Sequence, residues 1–357
     1  MRVVHVIGAR PNFMKVAPVF DSLARLPAME QCLVHTGQHY DDKMSDVFFR
    51  QLRIPEPDVN LDVGSGSHAQ QTAQVMSRIE PVLLERKPDW IIVYGDVNST
   101  VAAALVSSKL GIRIAHVEAG LRSFDRAMPE EINRIVTDRL SDLLFTPSAD
   151  GDDNLLKEGV PAERIRLVGN VMIDTLVRLL PEAAYPGDVP SPNRYVLATL
   201  HRPSNVDEPS RLAAVFAELQ AISLEIPVIF PVHPRTRQRL EGLALQIGGD
   251  GPLHVVPPQG YLEFLALQKS ATAVITDSGG VQEETTYLGI PCLTLRENTE
   301  RPVTISHGTN TLIGDRASSL TPAVRRVLSG ETRPGKIPPL WDGQAARRIA
   351  SIFSEMG

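Results

Sequence analysis

The sequence alternates short apolar runs with longer stretches of helical periodicity, and it does so in two separate series. The first run, Val3–Ile7, ends at Gly8, and apolar residues then recur at helical spacing over Val16–Leu26. Short strands that are apolar on both faces and alternate with helices are typical of a parallel sheet covered on both sides. The pattern therefore predicts an α/β fold. The other strands predicted in the first series are Cys32–His35, Trp90–Tyr94, Ile112–Val117 and Leu143–Thr146.

The second series begins after a Pro- and Gly-rich break at residues 181–192. At about 150 residues per domain, 357 residues correspond to about two domains. We therefore expect two doubly wound, Rossmann-like domains over residues 1–172 and 173–342 with a cleft between them, and a C-terminal helix (343–357) that packs back on the first. The strands predicted in the second series are Tyr195–Leu200, Pro227–Val232, Leu253–Val256, Ala273–Thr276 and Pro291–Leu295.

Composition excludes several classes of function. The 36 Lys and Arg residues against 42 Asp and Glu residues give a net charge of −6, and only 5% of residues are aromatic, which argues against nucleic-acid binding. The two cysteines have no disulfide or zinc spacing, which favours a reducing compartment, and we expect a cytoplasmic protein. No apolar stretch approaches the roughly 18 residues of a membrane span. No residue cluster has metal-ligand spacing, so no metal is expected.

Carboxylates follow two neighbouring strands of the first series. Ligands of open α/β sheets bind beyond the carboxyl ends of the strands, where Asp96 and Glu118 are placed. Two such carboxylates can divide the work of a general acid and a general base. Asp96 is also compatible with capping the helix that follows it, and Glu130 and Glu131, which follow Pro129, with complementing a helix dipole. Both interpretations remain open from the sequence.

A Ser-Gly-Gly turn joins the strand Ala273–Thr276 to a predicted helix in the second series. Ser278, Gly279 and Gly280 lie where backbone N–H groups of a helix N-terminus can face an anion, although an ordinary turn has the same spacing. Glu284, further into the helix, is of the type that accepts hydrogen bonds from ribose hydroxyls. The junction therefore favours a phosphorylated nucleotide as ligand.

Two further residues fit such a site. Arg301 is a candidate partner for an anion, and His201 directly follows a predicted strand, where it can contact phosphate or transfer a proton. The sequence has no Walker A loop and no Gly-x-Gly-x-x-Gly motif. These features indicate a nucleotide-sugar enzyme that needs neither a metal nor a redox cofactor.

Read in order along nearly the whole chain, a set of motifs resembles the non-hydrolysing UDP-N-acetylglucosamine (UDP-GlcNAc) 2-epimerases. The motifs are Gly8-Ala9-Arg10-Pro11 with Lys15, His35-Thr36-Gly37-Gln38-His39-Tyr40, Gly95-Asp96, His116-Val117-Glu118-Ala119-Gly120-Leu121-Arg122, Pro129-Glu130-Glu131-Ile132-Asn133-Arg134, Asp277-Ser278-Gly279-Gly280-Val281-Gln282-Glu283-Glu284 and Thr299-Glu300-Arg301-Pro302.

The resemblance implies a GT-B fold, a homodimer, and interconversion of UDP-GlcNAc with UDP-N-acetylmannosamine (UDP-ManNAc) without a cofactor. The implied route is anti elimination of UDP to 2-acetamidoglucal, followed by re-addition of UDP, and the product is used for surface polysaccharide. The motifs are also similar to those of 2-epimerases of related UDP-sugars, such as UDP-2,3-diacetamido-glucuronic acid. A GT-B glycosyltransferase that uses the same nucleotide grip is a further alternative.

The resemblance also implies a role for each matching residue. The residues implied in catalysis are Asp96, Glu118, Glu130 and His201. Those implied in substrate binding are Arg10, Lys15, Gln259, Phe264, Ser278, Gly279, Gly280, Glu284 and Arg301. Some family members bind a second UDP-GlcNAc as an activator, and the residues matching its contacts are Gln38, His39, Gln71, Arg202 and His233. Gln70 stands where such members have arginine.

Overall fold

The structure is a computed structural model that describes residues 1–37, 51–243, 251–332 and 334–356, without the side chains of residues 10, 203 and 235. The chain divides into two units, which are described separately. Unit 1 comprises Met1–Arg178 and Pro339–Gly357, and unit 2 comprises Leu179–Pro338. The change of unit falls at the end of a helix (Val171–Leu179) that continues past the predicted boundary at 172.

Unit 1 is built on a parallel sheet with seven strands among the described residues, in the order β3-β2-β1-β4-β5-β6-β7. The strands are β1 Arg2–Ile7, β2 Glu30–His35, β3 Val59–Asn60, β4 Trp90–Tyr94, β5 Arg113–Val117, β6 Leu143–Thr146 and β7 Ile165–Leu167. The helices are α1 Arg10–Leu23, α2 His68–Arg86, α3 Asn98–Leu110, α4 Pro129–Leu140, α5 Ala149–Lys157, α6 Val171–Leu179 and, from the end of the chain, α14 Ala345–Met356.

Helices cover both faces of this sheet. Alternate strand residues such as Val4 and Val93 pack in one core with apolar residues of α2 and α3. The residues between them face the other side, where Trp90 makes an edge contact with Phe353 of α14 at 5.5 Å. This two-sided burial explains why the central strands read as continuous apolar runs.

Unit 2 has a second parallel sheet, with six described strands in the order β10-β9-β8-β11-β12-β13. The strands are β8 Val196–Thr199, β9 Val228–Pro231, β10 Leu253–Val256, β11 Ala273–Thr276, β12 Cys292–Thr294 and β13 Asn310–Leu312. The helices are α7 Pro203–Val206, α8 Pro209–Ser223, α9 Pro234–Gly242, α10 Tyr261–Ser270, α11 Gly279–Leu288, α12 Val303–Ser306 and α13 Leu320–Leu328.

The sheet of unit 2 also has a core on each face. One core joins Phe230 and Ile275 to α8 and α13, and the other joins Ile229 and Val274 to residues of α10 and α11. Neighbouring strand residues thus contribute to opposite cores, as a pleated strand requires. Both units are therefore doubly wound, with every described strand pairing parallel to its neighbours.

The strands predicted from apolar runs are confirmed, whereas three short strands escape the prediction. β3 and β7 lie at the two edges of the first sheet, and β13 lies at one edge of the second. Edge strands of two or three residues are half exposed and have no continuous apolar run to reveal them. Among the described residues, no helix is both long enough and apolar enough to span a membrane.

The predicted C-terminal helix is present as α14 and lies within unit 1 against α1. Its first two N–H groups, of Ala345 and Ala346, donate to the carboxylate of Asp174 on α6 at 3.0 and 2.7 Å. These groups have no partner within their own helix, so the Asp174 side chain satisfies them and fixes the docking of the helix.

Candidate functional site

Asp96 and Glu118 follow β4 and β5, two strands that pair in parallel, and therefore lie at the same edge of the sheet. Glu118 has a backbone φ of 72°. A non-glycine residue in the left-handed region is uncommon, and such residues recur at active sites as well as in turns and helix caps. The turn after β5 thus presents Glu118 in a conformation that the surrounding structure must stabilise.

Lys15 of α1 pairs with Glu118. Its Nζ lies 2.8 Å from Oε2 of the carboxylate, and both side chains are buried. The ammonium reaches Glu118 by passing Gly95, where a Cβ atom would lie only 2.6 Å from Nζ. Gly95 also has a φ of 61°, so both its conformation and this close approach favour glycine. Since Glu118 is bound by a cation, the pair places a positive and a negative group together at the sheet edge.

The side chain of Asp96 pairs with Arg134 of α4 and is about one-quarter exposed. It does not cap α3, whose N-cap is Val97, so the alternative interpretation of Asp96 as a helix cap is not what the structure has. Glu130 lies in the first turn of α4 beside Pro129, as the helix-dipole interpretation requires. That placement still leaves its side chain at the rim of a cavity shared with Asp96.

This cavity of unit 1 has a volume of about 310 Å³. Its lining residues are Ala9, Ser65, Gly66, His68, Gln71, Asp96, Val97, Asn98, Glu130 and Asn133. Gln71, predicted as an activator contact, thus lies in the same cavity as two predicted catalytic carboxylates. Its Oε1 accepts from Nδ2 of Asn98 at 2.9 Å. Seven of its ten lining residues have polar or charged side chains, two of them carboxylates, which suits proton transfer on a neutral, hydroxyl-rich ligand.

Glu131 and Arg134 support this cavity, although the sequence analysis gave neither a role in the site. Nη2 of Arg134 lies 2.7 Å from Oε2 of the buried Glu131, which also accepts from the N–H groups of Ser123 and Phe124 at 2.9 Å. Burial alone would raise the pKa of Glu131, but these donors and Arg134 outweigh it and hold the pKa below its usual range. The sequence did contain one indication of this pair, because a carboxylate and an arginine three residues apart on a helix lie close enough to interact.

Beneath Asp96 and Glu118 lies a second buried group of charges, which the sequence analysis also missed. Nδ1 of His116 lies 2.6 Å from Oδ1 of Asp138, and Nη1 of Arg122 lies 2.7 Å from Oδ2. Burial opposes the charge of Asp138, but His116 and Arg122 outweigh that effect and lower its pKa. The His116–Asp138–Arg122 cluster is therefore a set of charges inside unit 1.

In unit 2, His201 follows β8 and contacts the buried Asp277 at the end of β11. Nδ1 of His201 lies 2.9 Å from Oδ1, while the outer part of the ring is exposed. Asp277 also accepts from the N–H of Arg202 at 3.0 Å and from Nδ2 of Asn205 at 2.9 Å. Burial would raise the pKa of Asp277, but its hydrogen bonds, led by that from His201, lower it. Asp277 thus orients His201, leaving Nε2 on the exposed side of the ring.

The Ser-Gly-Gly turn forms the start of α11, as predicted. Ser278 is its N-cap, and Gly279 is its first residue. A Cβ on Gly279 would collide with the guanidinium of Arg301, whose Cζ would be only 2.9 Å away. The absence of a side chain therefore lets Arg301 lie against the helix N-terminus, and cation and helix dipole coincide there.

Arg301 is buried between two carboxylates. Its Nε lies 2.8 Å from Oε1 of Glu283, and its Nη1 contacts Glu300. Glu300 also pairs with Arg296 at 2.7 Å. These carboxylates position Arg301 and compensate its charge, so an incoming anion would meet a guanidinium that is already oriented.

Glu284 is buried and accepts from the hydroxyl of Tyr261 at 3.0 Å and from Nε2 of Gln268 at 2.6 Å. Burial raises its pKa, only partly offset by these two donors. Gln259 is half-buried and donates to the carbonyl of Pro257 at 2.9 Å, while Phe264 packs at the margin of a core of unit 2.

For the remaining predicted residues, the structure gives only their exposure or does not describe them. Gln38 and His39 lie outside the described residues, as does the side chain of Arg10 at the start of α1. His233 is exposed after β9, and Arg202 is half-buried. The structure therefore brings Asp96, Glu130 and Gln71 together in unit 1, whereas Arg202 and His233 belong to unit 2.

Comparison with known proteins gives this arrangement a family. The profile described as UDP-N-acetylglucosamine 2-epimerase matches residues 21–354. A UDP-N-acetylglucosamine 2-epimerase of Methanocaldococcus jannaschii is 42% identical over 366 residues, 99% of each chain. The chain belongs to the UDP-N-acetylglucosamine 2-epimerase family. The predicted family and the predicted enzyme class, an isomerase, are thereby confirmed.

One solved structure and one further relative add to this assignment. A crystal structure of the Methanocaldococcus jannaschii UDP-GlcNAc 2-epimerase in complex with UDP-GlcNAc and UDP matches with a TM-score of 0.90 and 40% identity, over 99% of this chain and 100% of that one. It confirms the predicted GT-B class with two Rossmann-like domains. The UDP-2,3-diacetamido-2,3-dideoxy-D-glucuronate 2-epimerase of Pseudomonas aeruginosa is 42% identical over 359 residues, 100% of both chains.

Proposed function

We propose that this protein interconverts UDP-GlcNAc and UDP-ManNAc by inverting the sugar at C2. The observation that carries the proposal is the group of carboxylates at one sheet edge of unit 1, in a chain of this family. Asp96 and Glu130 line one cavity, and Glu118 follows the neighbouring strand. Removing a proton from one face of C2 and returning it to the other requires such a set of groups.

The proposed reaction begins with cleavage of the bond between the anomeric carbon and UDP, which leaves with the electron pair. The C2 proton passes to a carboxylate on the opposite face, giving 2-acetamidoglucal. UDP then adds back after C2 is protonated from the other side. Asp96, Glu118 and Glu130 are the proposed acid and base groups, with Lys15 as the cation that holds Glu118.

Unit 2 is proposed to hold UDP. Arg301 at the N-terminus of α11, together with Ser278, Gly279 and Gly280, forms the proposed diphosphate site, and His201 is proposed to contact the phosphate that departs. Glu284 is proposed to accept hydrogen bonds from the ribose, and Gln259 and Phe264 to contact the uracil. Arg10 is assigned to the same substrate by the family motif alone.

A related UDP-sugar is the second candidate substrate, because the Pseudomonas aeruginosa relative is as similar in sequence as the Methanocaldococcus jannaschii one. A diacetamido-glucuronate carries a carboxylate that would favour a cationic partner. Two of the described residues that line the unit 1 cavity, Asp96 and Glu130, are acidic and would repel such a carboxylate. This charge pattern supports the neutral sugar of UDP-GlcNAc.

The decisive experiment incubates the purified protein with UDP-GlcNAc in D2O and follows the sugar by proton NMR. We expect an equilibrium mixture with UDP-ManNAc and deuterium at C2 of both sugars. Release of free ManNAc would identify a hydrolysing enzyme instead. If C2 exchanges no hydrogen and UDP appears only when an acceptor is added, the protein is a glycosyltransferase and the proposal is wrong. Parallel incubation with UDP-2,3-diacetamido-glucuronic acid tests the second substrate.

Further proposals extend from the family alone. We propose a cytoplasmic homodimer whose product serves polysaccharide biosynthesis. Activation by a second UDP-GlcNAc is proposed through Gln38, His39, Gln71, Arg202 and His233. A rate that rises sigmoidally with UDP-GlcNAc concentration would support this activation, and simple saturation at all concentrations would contradict it.

A further inference from the structure

Three histidines on the described strands of the unit 1 sheet are buried, and two of them, His5 and His116, have hydrogen-bond partners that differ in kind. On β1, Nδ1 of His5 lies 2.7 Å from the hydroxyl of Tyr94, and Nε2 lies 2.9 Å from Oε1 of Gln31. A hydroxyl can donate as well as accept, so a neutral ring satisfies both contacts. Burial lowers the pKa of His5 to about 4, in agreement with a neutral ring.

His116 on β5 has two partners that can only accept. Its Nδ1 faces a carboxylate oxygen of Asp138 at 2.6 Å, and its Nε2 faces the carbonyl oxygen of Gly95 at 2.8 Å. A carbonyl oxygen carries no hydrogen, and an ionised carboxylate carries none either. Both ring nitrogens must therefore donate, and only the imidazolium cation has two N–H groups.

Asp138 is in the ionised state that this assignment requires. Its second oxygen, Oδ2, accepts from Nη1 of Arg122 at 2.7 Å and from the N–H of Gly120 at 3.1 Å. Arg122 in turn makes a two-pronged contact with Glu158, at 2.8 and 2.7 Å. Two cations thus face two carboxylates, and the buried charge is compensated locally.

This ion pair connects the two backbone segments that present the proposed catalytic carboxylates. The Gly95 carbonyl bound by His116 belongs to the peptide bond that leads into Asp96, and the N–H of Gly95 donates to the carbonyl of Val117 at 3.0 Å. Through Gly120, Asp138 binds the turn that directly follows Glu118. Displacement of the ring would therefore move both segments.

We propose that His116 is an imidazolium cation which, with Asp138, positions Asp96 and Glu118. The charge state follows from the contacts alone, whereas the positioning role rests on the function proposed above. His116 touches no substrate in this assignment and acts through the backbone. A neutral ring would lose its hydrogen bond either to Gly95 or to Asp138.

The charge state is tested by nitrogen NMR of the full-length protein labelled with 15N-histidine at pH 7.5. Signals are assigned by comparison with His116→Gln and His5→Gln. We expect two protonated nitrogens for His116, and one protonated and one unprotonated nitrogen for His5 in the same spectrum. One unprotonated nitrogen in His116 would overturn the proposal. If either variant folds poorly, the same signals are assigned in the wild-type protein by through-bond correlation from the backbone to the imidazole ring, so the charge state is still read.

The positioning role is tested by kinetics on the same variants. Gln at position 116 keeps a donor but not the cation, and we expect kcat to fall about 100-fold, with UDP affinity within about twofold of wild type. His5→Gln is the matched control, with kcat expected near that of wild type. An unchanged kcat in His116→Gln would refute the positioning role. A wild-type protein that does not epimerise would refute the proposed function but leave the NMR result standing.

Discussion

Arg134 contacts both Asp96 and Glu131, yet the two carboxylates have different surroundings. Asp96 is partly exposed and lines the unit 1 cavity, where it is available to a ligand. Glu131 is buried, and its carboxylate oxygens accept hydrogen bonds from Arg134 and from the backbone N–H groups of Ser123 and Phe124. Arg134 therefore connects Asp96, which is accessible to a ligand, with Glu131, which holds the arginine in place.

Glu130 and Glu131 are adjacent, but we expect replacement of Glu131 to reduce stability and replacement of Glu130 to reduce kcat. Glu131→Gln removes a charge from a buried pair, so the free energy of unfolding should fall by about 3–5 kcal/mol. Glu130→Gln, at the half-buried cavity rim, should change stability by less than about 0.5 kcal/mol while reducing kcat. Urea unfolding and steady-state kinetics of both variants provide the measurement. Equal stability losses would contradict the assignment of Glu131 as the supporting carboxylate.

The carboxylates Asp96 and Glu118 should be needed for turnover but not for nucleotide binding. We expect Asp96→Asn and Glu118→Gln each to lower kcat at least about 100-fold, because each removes a group from proton transfer. The dissociation constant for UDP, measured by calorimetry, should stay close to that of the wild type because the proposed UDP site is in unit 2. Near-normal turnover in either variant would remove that residue from the catalytic set.

At the scale of elements, α14 shows how a distant segment of the chain completes unit 1. Phe353 contacts the rings of Trp90 on β4 and Phe145 on β6. The indole N–H of Trp341, just before this helix, donates to the carbonyl of Pro147 at 2.9 Å. The apolar pattern of the segment predicted a helix and a packing face, but the contacts with Asp174 and Pro147 arise from residues far away in sequence.

The docking of α14 should depend on pH through Asp174. Burial raises the pKa of this carboxyl to about 6, despite the two N–H groups that favour its charged form. The folded state then binds a proton more tightly than the unfolded chain, whose aspartates titrate near pH 4. The contribution of Asp174 to stability is therefore fully present below about pH 4 and declines as the pH rises to about 6.

Urea unfolding between pH 4 and pH 7 measures this effect, with Asp174→Asn as the variant that cannot titrate. We expect the stability of the wild type relative to the variant to decrease over that range. Tryptophan fluorescence is a suitable signal because both tryptophans, Trp90 and Trp341, lie in unit 1. A difference that is constant with pH would show that the pKa of Asp174 is not raised.

At the scale of the whole molecule, each unit has its own hydrophobic core. Unfolding experiments can therefore show which unit a ligand stabilises. UDP is proposed to bind unit 2, which contains no tryptophan. At about 100 times its dissociation constant, a ligand stabilises the state that it binds by about 2.7 kcal/mol. We expect UDP to raise the urea midpoint observed by far-ultraviolet circular dichroism more than that observed by fluorescence. A shift in fluorescence alone would place UDP on unit 1.

The sequence by itself determined the α/β class, the central strands and the positions of Asp96 and Glu118 after β4 and β5. Those strands are apolar on both faces, and a residue that follows a parallel strand must lie at the ligand-binding edge. The turn at the start of α11 was predicted from Ser278, Gly279 and Gly280 because a strand-to-helix junction is local in sequence.

Only the tertiary structure decided which of Glu130 and Glu131 is buried, and that His116, Asp138 and Arg122 form one group of charges. Glu131, Arg134 and Asp138 share a face of α4, but helical spacing cannot say whether that face meets water or β5. The edge strands β3, β7 and β13 were missed because pairing with a neighbour, rather than an apolar run, makes them strands. Apolar periodicity predicts which face of a segment is buried. A buried charge, by contrast, is stabilised by partners that are distant in sequence and that only folding brings together.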